Sequence, residues 1–349
     1  MLTSPTPLVP EARAITGTLN ALQAEPEKKK QQQLVGMNFL EGTCTLPSTG
    51  LPEYEKTMRE NCENTVLPKR TDRSCLCVAV LAERRYLPQA QPAGMISVLE
   101  QLGHAVLVID PEDTAIEPDD CNWMRGVDVA VARGRSWSVL YLLQWLESMG
   151  VATINRRAAI AAVHNKAEMT VALAAAGIPR PRTFLGSPQQ VVKCLTAQDF
   201  PVIVKPIFGD NCRGLEVVSS REQLAALDWP EPLAIIQKFI PGLESDLKLY
   251  CIGEEVWAVR KPSPLLQKSS DTAAGRSPEL VPLIPAWRTL AQMCRKAFGL
   301  DLFGVDCIET EEGPLVLEVN EFPNYTAVPG ADQKLSHYIV AAKKQERPI

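Results

Sequence analysis

The residues with the most evident chemical potential in this 349-residue chain are Asp306, Glu318 and Asn320. They lie in two apolar, β-branched segments, Leu302-Phe-Gly-Val-Asp306-Cys-Ile and Leu315-Val-Leu-Glu318-Val-Asn320, separated by Glu-Thr-Glu-Glu-Gly-Pro. Such runs around a short turn-forming link read as a β-hairpin. If Thr310 faces Pro314, the loop is Glu311-Glu312-Gly313, with glycine at the left-handed position of a three-residue connection. Opposing residue numbers then sum to a constant, so Asp306 lies across from Glu318, and Asn320 follows one pleat along the same face. Phe303, Val305, Cys307, Leu315, Leu317 and Val319 point the other way, into a core. Carboxylates opposed at roughly 5 Å repel each other unless a cation lies between them. Two carboxylates and an amide oxygen, completed by substrate phosphates, make the hard oxygen set that magnesium takes. A solvated strand face would carry the same acids, so the rest of the chain must decide between the two.

Lysines and glycines upstream fit phosphate chemistry, although taken alone a lysine ending a strand also simply reaches solvent and glycines also simply make turns. Phe200-Pro-Val-Ile-Val-Lys205-Pro ends a buried strand on a lysine, and Gly209-Asp-Asn-Cys-Arg-Gly214 follows closely. A short loop with glycine at both ends can lie over a polyphosphate and present backbone N–H groups. Ile235-Ile-Gln237-Lys238-Phe239-Ile240-Pro-Gly is a strand ended by a turn, with Glu244 and Asp246 beyond it.

The elements that must position these groups follow from periodicity and punctuation. Strands are expected at Cys75–Ala82, Ala105–Ile109, Val127–Ala132 and Val151–Ile154, alternating with helices at Pro92–Leu102 and Leu140–Met149. That alternation predicts a small parallel α/β unit. Asn155 opens a helix, and Lys166–Ala176 is an alanine-rich helix stopped by Gly177. Strands at Arg182–Leu185, Val202–Lys205, Leu215–Val218, Ala234–Phe239, Leu247–Ile252 and Val256–Arg260 follow, with helices near Pro188–Leu195, Arg221–Ala226 and Trp287–Phe298. Residues 1–73, with Pro-Thr-Pro and a Glu-Lys-Lys-Lys-Gln-Gln-Gln run, show no sustained apolar period and read as a flexible extension.

The order of these parts resembles the ATP-grasp superfamily, in particular the ligases similar to the ribosomal-protein S6 glutamate ligase and the lysine-biosynthesis ligase. The likeness covers roughly Cys75 to Tyr338. It implies an α/β (α+β) ATP-grasp fold: a flexible extension over 1–73, a small parallel α/β domain over 74–155, a central subdomain over 156–232, and a C-terminal subdomain with the metal site over 233–345. It also implies roles. Lys166 and Lys205, with the loop from Gly209 to Gly214, would hold the ATP phosphates. Backbone groups of an edge strand from Gln237 through Lys238 and Phe239 to Ile240 would bind adenine, and Glu244 or Asp246 the ribose. Asp306, Glu318 and Asn320 would hold one or two Mg2+ (or Mn2+) ions, and Arg276 would face the transferred phosphoryl group. The implied activity joins a carboxylate to an amine, either small molecules or a peptide tail, through an acyl phosphate. Inositol polyphosphate kinases of the same superfamily share some of these segments, but they usually carry aspartate where this chain has Glu318. A nucleotide-binding regulator without turnover is a third reading, and the intact metal set argues against it.

Bulk properties set outer limits. A net charge of −5 gives no general support for nucleic-acid binding. No segment is long and apolar enough to span a bilayer, and Met1–Ile15 lacks the order of a signal peptide. Several of the ten cysteines, Cys194, Cys251, Cys294 and Cys307 among them, fall singly within apolar strands or helical patterns and are expected to be buried thiols. A reducing, cytoplasmic setting is therefore expected, while the oligomeric state stays open. Deleting residues 1–70 should leave a core that melts cooperatively and binds ATP; a truncated chain without a cooperative transition would overturn this domain assignment.

Overall fold

The structure is a computed structural model describing residues 75–120, 122–209, 214–241, 245–262 and 277–344, all within one compact unit, Lys56–Ile349. The extension expected over 1–73, and the positions of Glu244 and Arg276, lie outside the described residues.

Strand β1 (Cys77–Ala82) is buried along its whole length, as a strand covered on both faces must be. It pairs in parallel with β2 (Ala105–Ile109) and β3 (Val129–Arg133), and β4 (Ala152–Ile154) joins β3, giving the order β2-β1-β3-β4. Helix α1 (Ala90–Gln101) packs Met95 and Leu99 against one face, and α2 (Trp137–Ser148) covers the other with Val139, Leu142, Leu143 and Leu146. Helices α3 (Arg157–His164) and α4 (Lys166–Ala175) follow.

Next comes an antiparallel sheet of order β5-β8-β6-β7, made of β5 (Thr183–Gly186), β6 (Val202–Lys205), β7 (Glu216–Val218) and β8 (Ala234–Lys238). The short helices α5 (Pro188–Val191) and α6 (Arg221–Ala225) cover it. A second antiparallel sheet, β11-β10-β9-β12-β13, contains β9 (Ser245–Ile252), β10 (Glu255–Pro262), β11 (Glu279–Val281), β12 (Leu302–Thr310) and β13 (Gly313–Glu321). Helix α7 (Pro285–Phe298) lays Trp287, Leu290, Ala291, Cys294 and Phe298 on one face of that sheet, and Gly299 ends it in the left-handed conformation. The opposite face packs through Tyr250, Ile252, Val259 and Leu302 onto the parallel sheet and onto α8 (Ala331–Lys344). The chain thus has a mixed α/β fold with one parallel and two antiparallel sheets.

The hairpin differs from its sequence reading. Thr310 pairs with Gly313, not Pro314, so Glu311-Glu312 is a two-residue connection. Asp306 nonetheless faces Glu318, because a β-bulge inserts Leu317 between the Cys307–Val316 and Asp306–Glu318 pairs. The tight turn shifts the register by one, and the bulge shifts it back. In consequence Val316 is 1% exposed and enters the core, while Leu315 and Leu317, expected there, are only partly buried. Cys194 is likewise exposed, whereas Cys251, Cys294 and Cys307 are buried free thiols, and burial pushes Cys294 up to about 12. No described helix is long and apolar enough to cross a membrane.

The bulge makes a stability order testable. Val316→Ala should cost roughly 2 kcal/mol in chemical unfolding, and Leu317→Ala less than about 1 kcal/mol. The reverse order would restore the unbulged register.

Candidate functional site

The face of the second antiparallel sheet that carries Tyr250 and Leu302 changes character along its strands. At one end it is apolar core. One pleat further it presents Lys248 on β9, Asp306 on β12 and Glu318 on β13, aligned across the ladder. Lys248 Nζ lies 2.8 Å from Asp306 Oδ1, and Asn320 Nδ2 donates to Asp306 Oδ2 at 2.8 Å. Burial works against the charge of Lys248, but Asp306, then Tyr250 and Glu318, outweigh it, so its pKa is raised. Gly304 makes this packing possible: a Cβ there would meet Pro323 at 3.2 Å and the Lys248 stem at 3.4 Å.

Glu318 receives its cation from a helix start. Asn165 caps α4, accepting from the Ala167 and Glu168 N–H groups at 2.9 and 3.2 Å. The first helical residue, Lys166, then reaches over β13 and pairs with Glu318. Arg135, from the end of β3, adds its Nη1 at 3.9 Å from Glu318 and 3.8 Å from Glu321. Glu321 is 4% exposed, and its carboxyl is pushed up by burial, with Arg135 and Arg133 opposing the shift.

A carboxylate that the sequence did not single out fixes Arg135. Glu83, directly after β1, is 2% exposed and accepts from the Arg135 and Ser136 N–H groups at 2.7 and 2.8 Å. Its other oxygen holds Arg85 at 2.8 Å. Gly134 has φ +144°, and a Cβ there would lie 2.5 Å from Glu83 Oε1, so the turn closes only on glycine. The visible signal was an acid ending an apolar strand, at the carboxyl edge of β1 and β3 where parallel sheets place ligand crevices.

A second group of residues sits on the other antiparallel sheet. Lys205 Nζ donates to Gln237 Oε1 at 2.7 Å, and Gln237 Nε2 donates to Thr183 Oγ1 at 3.0 Å. The two groups adjoin, because the Lys166 N–H donates to the Ile207 carbonyl at 3.2 Å, just beyond β6. Gly209 and Gly214 flank residues outside the description, and Gly214 adopts φ +68°.

Strand β8 is not the edge strand expected for adenine; it lies between β5 and β6. The N–H groups of Lys238 and Phe239 already donate to Arg182 and Pro201. The Lys238 side chain turns away to the Gln198 and Phe200 carbonyls. Ile240 lies just past the end of the strand. Asp246 lies opposite Lys261 on β10, one pleat from Lys248. Lys261, which the sequence reading passed over, places Nζ 5.5 Å from the centre of the Tyr250 ring.

Among the described residues no three His, Cys, Asp or Glu side chains cluster closely enough to hold a metal by themselves. The third oxygen donor on this face is an amide, Asn320. Asp306, Glu318 and Asn320 form an all-oxygen set of the kind hard divalent ions take, and cationic neighbours offset the repulsion between the two acids.

A profile of the RimK-like ATP-grasp domain matches residues 163–338. A "probable alpha-L-glutamate ligase" of Parasynechococcus marenigrum is 24% identical over 323 residues, covering 87% of this chain and 69% of that protein. One of Legionella pneumophila (strain Corby) is 28% identical over 275 residues, covering 72% of this chain and 90% of that protein. Among solved structures, a RimK domain protein from Sphaerobacter thermophilus superposes with a TM-score of 0.61 at 20% identity, over 76% of this chain and 98% of that one. The D-alanine–D-alanine ligase of Bacillus anthracis superposes with a TM-score of 0.59 at 18% identity, over 78% and 100%. The chain belongs to the RimK-like ATP-grasp family of ligases.

Proposed function

We propose that this ligase joins a carboxylate to an amine, using ATP to form an acyl phosphate and releasing ADP and phosphate. The observation that carries the reading is the alignment of Lys248, Asp306 and Glu318 across three strands, with Lys166 and the Lys205–Gln237 pair alongside. In this reading residues 74–155 help hold a substrate, while 156–232 and 233–345 clasp the nucleotide between their sheets. Asp306, Glu318 and Asn320 would hold Mg2+ or Mn2+, which would supply charge neutralisation for the ATP phosphates.

The chain's own residues do the positioning. Lys166 and Lys205 contact the phosphates, and the loop from Gly209 to Gly214 covers them. The segment Gln237–Ile240 receives adenine through its carbonyls and Ile240, and Glu244 or Asp246 takes the ribose. The substrate carboxylate attacks the γ-phosphorus as the bond to the ADP oxygen breaks. Arg276 offsets the charge that develops on the transferred group. The amine then adds to the acyl carbon, loses a proton and expels phosphate. No protein nucleophile is needed, and preorganised charge and proximity account for the rate. The names of the relatives make L-glutamate the first compound to supply, in either role.

Asp306→Asn and Glu318→Gln should each lower turnover by at least about a hundredfold, the scale for losing one preorganised electrostatic group, while far-UV circular dichroism stays that of the parent. Full activity in either variant, or in excess chelator, would remove the metal assignment.

Reaction class is read from the products. ADP and phosphate should appear together and only with both substrates present, and hydroxylamine with the right carboxylate should yield a hydroxamate. Arg276→Ala should reduce hydroxamate formation far more than ATP affinity, because that charge matters once the acyl phosphate forms. Labelled γ-phosphate recovered on an inositol phosphate, with no hydroxamate from any carboxylate, would establish the kinase reading. ATP binding without turnover on any substrate pair would establish the regulator.

A further inference from the structure

Building on the reading of this chain as a carboxylate–amine ligase, we propose that Trp137, His164 and Phe208 form a specificity wall, and that one of the two joined substrates carries an aromatic or large apolar group that packs on Trp137.

Three rings from three separate elements meet here. Trp137 opens α2, His164 ends α3, and Phe208 follows β6. The His164 ring centre lies 5.9 Å from that of Trp137 and 5.1 Å from that of Phe208. The cluster is not covered as a core would be: Trp137 is 71% exposed and Phe208 49%. Tyr141, one helical turn beyond Trp137 on the same side of α2, is 47% exposed and extends the apolar surface outward.

Each ring is tied closely to the groups around Glu318. His164 precedes the cap residue Asn165 and then Lys166, which pairs with Glu318. Phe208 follows Ile207, whose carbonyl accepts from the Lys166 N–H. Trp137 lies two residues after Arg135, whose Nη1 is 3.9 Å from Glu318. His164 also lies close enough to Arg135 and Lys166 for their charges to act on its ring, so the wall sits beside the cations that face Glu318. Burial, with Arg135 and Lys166, holds the His164 pKa below its ordinary value, which favours the uncharged ring. Large flat rings with one open face give contact area at small conformational cost, which suits them to reading a substrate's planar or apolar group. The same faces attract an arriving ammonium group.

Titration of the full chain with Mg2+ and a non-hydrolysable ATP analogue tests this, using four probes. L-Phenylalaninamide and glycinamide represent an amine source of the apolar group; N-acetyl-L-phenylalanine and N-acetylglycine represent a carboxylate source. In one of the two pairs the aromatic probe should bind at least tenfold tighter. Trp137→Ala should reduce that ratio below about two, and Trp137→Phe should keep most of it. The pair that shows the preference identifies which substrate bears the group. Equal affinities within both pairs, no binding of any probe, or a preference that survives Trp137→Ala would overturn the wall. ADP release over pooled carboxylates and amines reports separately on the ligase reading. Its absence would end that reading, and the affinity ratios would still decide whether Trp137 selects for an apolar group.

Discussion

Everything around the site answers to one constraint: two carboxylates directly opposed in an antiparallel pair. Asp306 and Glu318 would repel each other on an isolated hairpin, and like charges opposite one another destabilise a sheet. The fold offsets this with one lysine for each acid, delivered from different directions. Lys248 comes along the neighbouring strand β9, and Lys166 comes from the capped start of a helix packed on the sheet. Neither lysine can be supplied by the hairpin itself. The charge pattern therefore requires hairpin, neighbouring strand and helix to be in place together, which couples local pairing to tertiary order.

The same sheet face also explains how the parallel unit is held against it. Its apolar half, with Tyr250, Ile252 and Leu302, shares a core with Val78, Val80, Val129 and Val131. Asn155, just past β4, adds a buried polar join: its Nδ2 donates to the Leu302 carbonyl at 2.7 Å, and its Oδ1 accepts from the Asp301 and Leu302 N–H groups. All three bonds end at the start of β12, the strand that carries Asp306. A buried amide with these partners satisfied fixes position as well as contributing stability. Apolar contact brings the units together, and Asn155 specifies where on β12 they meet.

Much of this was legible in the chain, for reasons that also explain the failures. The apolar strands β1 and β12 and the amphipathic α7 follow from apolar runs and helical periodicity, which act locally. The hairpin loop did not: a three-residue loop and a two-residue turn with a bulge at Leu317 lead to the same Asp306–Glu318 pair, so the pairing alone does not tell them apart. The interior place of β8 was hidden because strand order depends on which edges meet in space, and Ala234–Lys238 reads alike in either position. Helix α8 went unread because its buried positions, Leu335, Ser336 and Ile339, include a serine that is satisfied only by the Met95 and Asp332 carbonyls. Its partner α1 lies far away in sequence, so the helical stripe becomes visible only with that contact in place.

Glu83 shows why some of the site escapes pattern reading altogether. Its role depends on no motif, only on the ends of β1 and β3 being neighbours in a parallel sheet, where both strand termini open on one edge. A carboxylate there meets the N–H groups of Arg135 and Ser136, in the turn that leads into α2. By taking that position itself, Glu83 directs the Arg135 backbone so that its side chain runs toward Glu318 and Glu321. The sheet edge that in other parallel folds receives a ligand anion is here filled from within, and the Arg135 side chain extends to the hairpin acids. The parallel unit thus contributes charge to the hairpin face through Arg135, which makes the spacing between Glu83, Gly134 and Arg135 as much a part of the site as Asp306 and Glu318.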